Sequence, residues 1–377
     1  MAVPFIDLRR FEPGFLERWA DICGELSRKT QFVAGPEAAK LESALAATHG
    51  AGDCVACANG TDALQLALRA LGVGPGDLVV IPDATFWATF EAVVNCGARV
   101  VTVDVDPVDL QMDYDLFVQA LDEHRPKAAI LVHLYGWGSA RLDDFRTLCR
   151  ERGVALVEDG AQAVGVELRG RSIYEGARAA TISFYPAKVL GACGDAGAVL
   201  CDDGDLAVTV RQLGNHGRTS HYGHGLVGWN SRMGGFDAAF LNLSLDYLPE
   251  RLASRRRAAE RYREALGALG LRTADAPEGY LENGYLNVTL VAPEERPSIE
   301  AVLKERGIGF GNVYPGAMSE QPGAARYLEA ALGGEQARLL GRSVLNLPLF
   351  AHIRDDEVEE VLAAVAEAVG APDSTAV

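Results

Sequence analysis

One lysine in this chain stands where an amine could do covalent chemistry. Lys188 closes the run Ser183-Phe184-Tyr185-Pro186-Ala187-Lys188, just past an apolar strand and just before a glycine-rich turn. A primary amine held there can condense with an aldehyde, whereas most lysines are solvated surface groups. Two other features give it company. Val154-Ala155-Leu156-Val157-Glu158-Asp159 reads as a buried strand ending in two carboxylates, followed by Gly160-Ala161-Gln162. Ala58-Asn59-Gly60-Thr61-Asp62 joins a strand to a helix of strong apolar periodicity. An amine, an acid at a strand end and a helix N-terminus sized for phosphate are the three parts needed to hold pyridoxal 5'-phosphate (PLP).

Each part has a plainer reading beside the chemical one. At Gly60 and Thr61 the first helical amides and the positive end of the dipole would face a phosphate, with the Thr61 hydroxyl as an extra donor. The same stretch also suits a simple cap made by Thr61 or Asp62. Asp159 ends an otherwise apolar strand, where an ionised carboxylate is costly unless a cation or hydrogen-bond donors meet it. A protonated pyridine nitrogen is such a partner, and a ring kept charged in this way accepts electrons from a carbanion. A helix cap or a structural ion pair would satisfy Asp159 as well. Gln162, three residues on, is placed to reach the ring's phenolic oxygen, while Glu158 points to the opposite face of the strand. Phe86 and Trp87 follow another strand end, where two adjacent aromatics cannot both enter the core, so Phe86 is a candidate to stack on the ring. Gly191 to Gly197 has the glycine count of a dinucleotide fingerprint but leads into a strand instead of a helix. It reads as the tight turn that lets the backbone pass the lysine.

These residues need a scaffold, and the chain supplies one. Short apolar runs alternate with helical patterns from about Val55 to Cys201, which argues an α/β unit with a mostly parallel sheet. From about Leu248 the pattern changes to a long charged helix, Arg251 to Leu269, a strand, Tyr285 to Val291, and a final helix, Asp355 to Val369. We expect a large domain over residues 1–247 and a smaller α+β domain over 248–377, the polar tail 371–377 being frayed. At 377 residues and 49% hydrophobic composition the chain can fill a core in each. No apolar run is long enough to span a bilayer and the N-terminus lacks an export pattern, so the expectation is a cytoplasmic protein. Seven scattered cysteines fit a reducing compartment, and neither Cys54-Val55-Ala56-Cys57 nor the seven histidines offer a second half for a metal site. A formal charge of -17 argues against nucleic acid or an anionic membrane as partner.

Taken together the motifs resemble the PLP-dependent sugar aminotransferases of the DegT (StrS-like) family, of the aspartate aminotransferase fold, type I. The resemblance runs from Pro4-Phe5-Ile6-Asp7-Leu8 through Asn59-Gly60-Thr61-Asp62, Glu158-Asp159 and Ser183 to Lys188. It continues into Gly228-Trp229-Asn230-Ser231-Arg232, Tyr314-Pro315 and Leu347-Pro348. It implies a large domain with a mostly parallel seven-stranded sheet flanked by helices. It further implies that Lys188 makes the imine link to the cofactor, Asp159 binds the pyridine nitrogen and Gln162 the ring hydroxyl side. Phe86 would stack on the ring; Gly60, Thr61 and Ser183 would bind phosphate. The partner subunit's Asn230 would complete the phosphate site, which implies a homodimer with shared active sites.

The implied reaction moves an amino group from an amino acid, L-glutamate by resemblance, to a nucleotide-linked ketosugar. A keto-cyclitol aminotransferase or a non-catalytic PLP-binding regulatory protein would share the same site. A dehydratase of the same family carries histidine where this chain has Lys188. By resemblance the loop bearing His216 and Tyr222 lies near the substrate or the subunit interface, and Tyr314 and Ser319 face the sugar. Many relatives have a histidine where Ser319 stands, and alanine where Gly160 stands.

Overall fold

The computed structural model describes residues 2–370; the tail 371–377 lies outside the described residues. Eight strands form the large sheet: β1 (Asp53–Cys57), β2 (Leu78–Pro82), β3 (Arg99–Val103), β4 (Ala128–Val132), β5 (Ala155–Asp159), β6 (Ala179–Ser183), β7 (Gly197–Cys201) and β8 (Leu328–Leu332). Their spatial order is β1-β7-β6-β5-β4-β2-β3-β8. β7 runs antiparallel to both of its neighbours, and every other pairing is parallel. Seven of these strands match the apolar runs of the sequence, and β8 adds an eighth from far along the chain.

The sheet is apolar on both faces because helices cover both. Alternate residues of one strand enter different cores: Val79 and Ile81 pack on one side, Val80 on the other, and Ile130 and Leu131 divide in the same way. A third cluster joins Tyr262 and Leu266 of helix Leu248–Ala268, Leu303 of helix Arg296–Glu305 and Val361 of helix Asp355–Ala368. Val3 from the N-terminal segment packs into it. Beyond residue 248 the chain therefore makes a core of its own and also returns to the large sheet as β8.

The strand expected over Tyr285 to Val291 shrinks to Thr289–Leu290. Asparagine side chains take its place: Asn283 Oδ1 accepts from the Tyr285 amide at 2.9 Å, and Asn346 Nδ2 donates to the Asn287 carbonyl oxygen at 2.8 Å. Such side-chain bonds compete with a ladder. No helix among the described residues is long and apolar enough to cross a membrane.

The parallel strands β1, β2, β4, β5 and β6 end on one edge of the sheet, which gathers the loops after them. Gly197 makes this closure possible. It lies opposite both Cys57 and Ser183, and a Cβ on it would stand 2.4 Å from the Asn59 carbonyl oxygen. Gly197→Ala should therefore destabilise the fold by about 1–3 kcal/mol in urea unfolding, whereas Gly204→Ala, with open space around it, should not.

Candidate active site

A cavity of about 620 Å³ opens at the carboxyl edge of the sheet. Gly60, Thr61, Phe86, Asp159, Gln162, Ser183, Lys188 and Tyr314 all line it. The structure thus brings together residues that lie up to 254 positions apart (Gly60 to Tyr314) in the chain. His216, Tyr222, Asn230 and Ser319 do not line it. The first three lie on the exposed 215–230 segment, where Tyr222 is 87% exposed and Asn230 Oδ1 accepts from Arg232 Nη2 at 2.8 Å. Ser319 instead grips the buried Asp83, its amide donating at 2.7 Å and its hydroxyl at 2.8 Å. A serine so engaged is turned toward the sheet.

At the helix Gly60–Ala70 the cap is Asn59, whose Oδ1 accepts from the Asp62 amide at 2.8 Å. Capping therefore falls to neither Thr61 nor Asp62, and Thr61 remains in the cavity wall. Gly60 is required by proximity: a Cβ there would lie 2.7 Å from the Ser183 Cβ. The two residues together form one tight lip where β1 and β6 end. Phe86 is 55% exposed, its ring 5.4 Å from that of Tyr314, while Trp87 turns away and stacks on Phe90.

Asp159, 5% exposed, sits at the end of β5. Its Oδ1 accepts from the Ala161 amide and its Oδ2 from the Thr89 hydroxyl, each at 3.1 Å. It makes no ion pair among the described residues. Burial raises its pKa above the ordinary carboxylate range, against the opposing pull of these donors and of Lys188. Glu158, one residue earlier, faces the other way into a buried network with Arg146 at 2.7 Å and His133 at 2.9 Å. The two adjacent acids are thus divided by the strand's alternation: one is matched by protein cations, and the other makes no ion pair among the described residues.

Gln162 is fixed at both ends, accepting from the Tyr135 amide at 2.6 Å and donating to the Tyr314 hydroxyl at 3.1 Å. Lys188 Nζ donates to the Tyr285 hydroxyl at 3.3 Å. Behind the lysine, Gly191 lets the turn close, since a Cβ there would meet the Pro186 carbonyl oxygen at 2.4 Å. Gly160 is explained by Tyr174, whose ring fills the space a Cβ would need at 2.2 Å and whose hydroxyl donates to the Gly160 carbonyl at 2.8 Å. Thr89, Tyr285, Asn59 and Asp195 belong to the site without having been singled out. Thr89 is four residues from Thr85 on a helix entry, a spacing that sets the two hydroxyls 2.8 Å apart and was readable in principle. Nothing local marks Tyr285.

A primary amine and a buried acid that share one cavity at a parallel-sheet edge suit a PLP-dependent aminotransferase. The chain belongs to the DegT/DnrJ/EryC1/StrS aminotransferase family, which it matches over residues 17–366. It is 34% identical to a UDP-2-acetamido-2-deoxy-3-oxo-D-glucuronate aminotransferase of Pseudomonas aeruginosa, covering 96% of this chain and 99% of that one. A dTDP-3-amino-3,4,6-trideoxy-alpha-D-glucose transaminase of Streptomyces venezuelae is 36% identical over 97% and 96% of the two chains. A pleiotropic regulatory protein of Geobacillus stearothermophilus is 34% identical over 97% and 98%. Among solved structures, S. venezuelae DesV in complex with a ketimine intermediate superposes with a TM-score of 0.90, at 34% identity and 98% coverage of both chains.

The raised pKa of Asp159 fixes the sign of a pH effect. Because burial penalises the charged form, the cofactor-free chain is most stable with Asp159 protonated and loses that stability as pH rises through the folded-state pKa. Asp159→Asn should therefore raise the melting temperature of the cofactor-free chain at neutral pH, with the gap closing at acid pH. The same variant should bind PLP more weakly, measured by dialysis and absorbance.

Proposed function

We propose that this enzyme transfers the amino group of an amino acid, L-glutamate, to the keto carbon of a nucleotide-linked sugar, giving an amino sugar. The observation that carries the reading is that Lys188 shares one cavity with a buried Asp159 that makes no ion pair among the described residues. The named substrates of the aminotransferase relatives are nucleotide sugars, which supports this choice of acceptor. Unpaired cysteines, five of the seven buried, are compatible with work in the cytoplasm.

The residues present fit PLP. When bound, PLP supplies an aldehyde that accepts an amine and a ring that withdraws electrons. Lys188 would hold the aldehyde carbon and Asp159 the ring nitrogen. Gly60, Thr61 and Ser183 would hold the phosphate, Gln162 the ring oxygen and Phe86 a ring face. Within the chain, Thr89 and the Ala161 amide lock both Asp159 oxygens, so the carboxylate faces the cavity in one orientation. Tyr285 gives the Lys188 amine a fixed partner, from which Nζ can take up or release a proton at the reacting carbon. Burial holds the Tyr314 phenol neutral, so it can accept from Gln162 and donate onward.

Asn230 does not line the cavity of its own chain, and this supports a homodimer in which the partner subunit's Asn230 completes the phosphate site. We also take residues 1–247 as the cofactor-binding domain and 248–377 as the smaller one, with β8 reaching across.

Lys188→Ala should abolish transfer and the visible imine absorbance of the holoenzyme, read with a panel of nucleotide ketosugars and keto-cyclitols and L-glutamate as donor. Turnover of cyclitols alone would replace the sugar reading. Mixing inactive Lys188→Ala and Asn230→Asp chains after unfolding should restore about a quarter of wild-type activity, since half the dimers regain one intact site. No recovery would end the shared-site proposal.

A further inference from the structure

Asp159 has one side-chain hydrogen-bond donor among the described residues: Thr89, whose hydroxyl reaches Oδ2 at 3.1 Å. That hydroxyl in turn meets the Thr85 hydroxyl at 2.8 Å. Thr89 and Thr85 are enclosed, 0% and 1% exposed, but only Thr85 lines the cofactor cavity. Thr89 stands in the first turn of helix Trp87–Asn95, and Thr85 just ahead of the Phe86 that opens it. A row of three polar groups thus runs from the cavity wall to the acid.

Counting hydrogens gives the row a direction. A hydroxyl owns one hydrogen and two acceptor lone pairs. An ionised Asp159 can only accept, so Thr89 gives its hydrogen to Oδ2 and Thr85 must supply the hydrogen between the two threonines. Every hydrogen in the row then points at the acid, and bonds aligned in this way polarise and strengthen one another. With Oδ2 protonated the row runs backwards: the acid donates to Thr89, Thr89 donates to Thr85, and the Thr85 hydrogen turns to the cavity. Donation to a charged acceptor is worth about twice that between neutral groups, so the forward arrangement favours the ionised acid.

No other side chain does this work. Lys188, His133, Tyr174 and Tyr314 face Asp159 from four segments. Each bonds elsewhere: Lys188 with Tyr285, His133 with Glu158, Tyr174 with the Gly160 carbonyl and Tyr314 with Gln162. Asp62 from helix Gly60–Ala70, Glu91 from helix Trp87–Asn95 and Asp195 from the glycine turn share the cavity wall and add only negative charge. Burial, too, works against the ionised form.

We propose that Thr85 and Thr89 are positioning residues that act through Asp159: their hydroxyls form a directional row that holds the acid ionised and so sets how readily the cavity takes a protonated ring nitrogen. This rests on the PLP reading of the cavity given above.

Thr89→Val keeps the side-chain shape and removes the hydroxyl, Thr89→Ser keeps the hydroxyl, and Thr85→Val breaks the row one step earlier. PLP affinity is measured by absorbance titration of each cofactor-free protein across pH. It should decline on the acid side as Asp159 takes up a proton, and in Thr89→Val the decline should begin about one pH unit higher. Below that point Thr89→Val should bind PLP about 10-fold more weakly than wild type, the two converging at higher pH, where the cofactor-free acid is ionised in both. Thr89→Ser should follow wild type, and Thr85→Val should move the decline the same way by a smaller step. Lost packing alone would weaken binding at every pH alike. An unmoved acid-side decline in folded Thr89→Val or Thr85→Val overturns the proposal. A second readout needs no PLP. The gap in melting temperature between each cofactor-free protein and its Asp159→Asn counterpart grows with pH until the folded acid ionises, and should level off about one pH unit higher in the Thr89→Val background. A wild type that binds no PLP would refute the cofactor reading; the melting gap then still decides the row, and a gap unchanged by Thr89→Val overturns it.

Discussion

The architecture turns on one buried acid: a carboxyl group at the end of a parallel strand, with hydrogen-bond donors but no ion-pair partner among the described residues. Folding alone would not keep such a group, because a buried acid without a counter-ion is destabilising. The structure nonetheless fixes both Asp159 oxygens, one on a backbone amide and one on Thr89. That arrangement makes sense for an acid whose cation is delivered by a ligand. Glu158 shows the contrast, since the next residue on the other face is given an arginine and a histidine.

The rest of the cavity follows from bringing strand ends together around that acid. Three close approaches set its shape, each permitted by a glycine: Gly60 on Ser183, Gly197 on Asn59 and Gly191 on Pro186. They press the phosphate-sized lip and the lysine turn onto the sheet edge with no side chain between. Tyr285 extends the same logic into the C-terminal part of the chain, which supplies a partner for Lys188.

Much of this was legible in the residues. The apolar runs located seven strands because strands buried on both faces are continuous hydrophobic segments. The β8 segment escaped because Leu-Glu-Ala-Ala-Leu has helical composition and only half-buried sides. It is a strand because β3 offers it a parallel edge, a tertiary preference that overrides the local one. Asp159 against Glu158 could be told apart by strand alternation, whereas crowding said only that Phe86 and Trp87 do not both enter the core. Ser319 could not, since its engagement with Asp83 joins residues 236 positions apart.

The sequence by itself determined the chemistry: a lysine after an apolar strand, an acid at a strand end and a glycine-opened helix start, each a property of a few adjacent residues. Tertiary structure decided which of those groups face one cavity, which acid is neutralised internally, and where Tyr285 stands. Those outcomes depend on contacts between segments far apart in the chain, and a charge is matched or left open only when the fold settles what lies beside it.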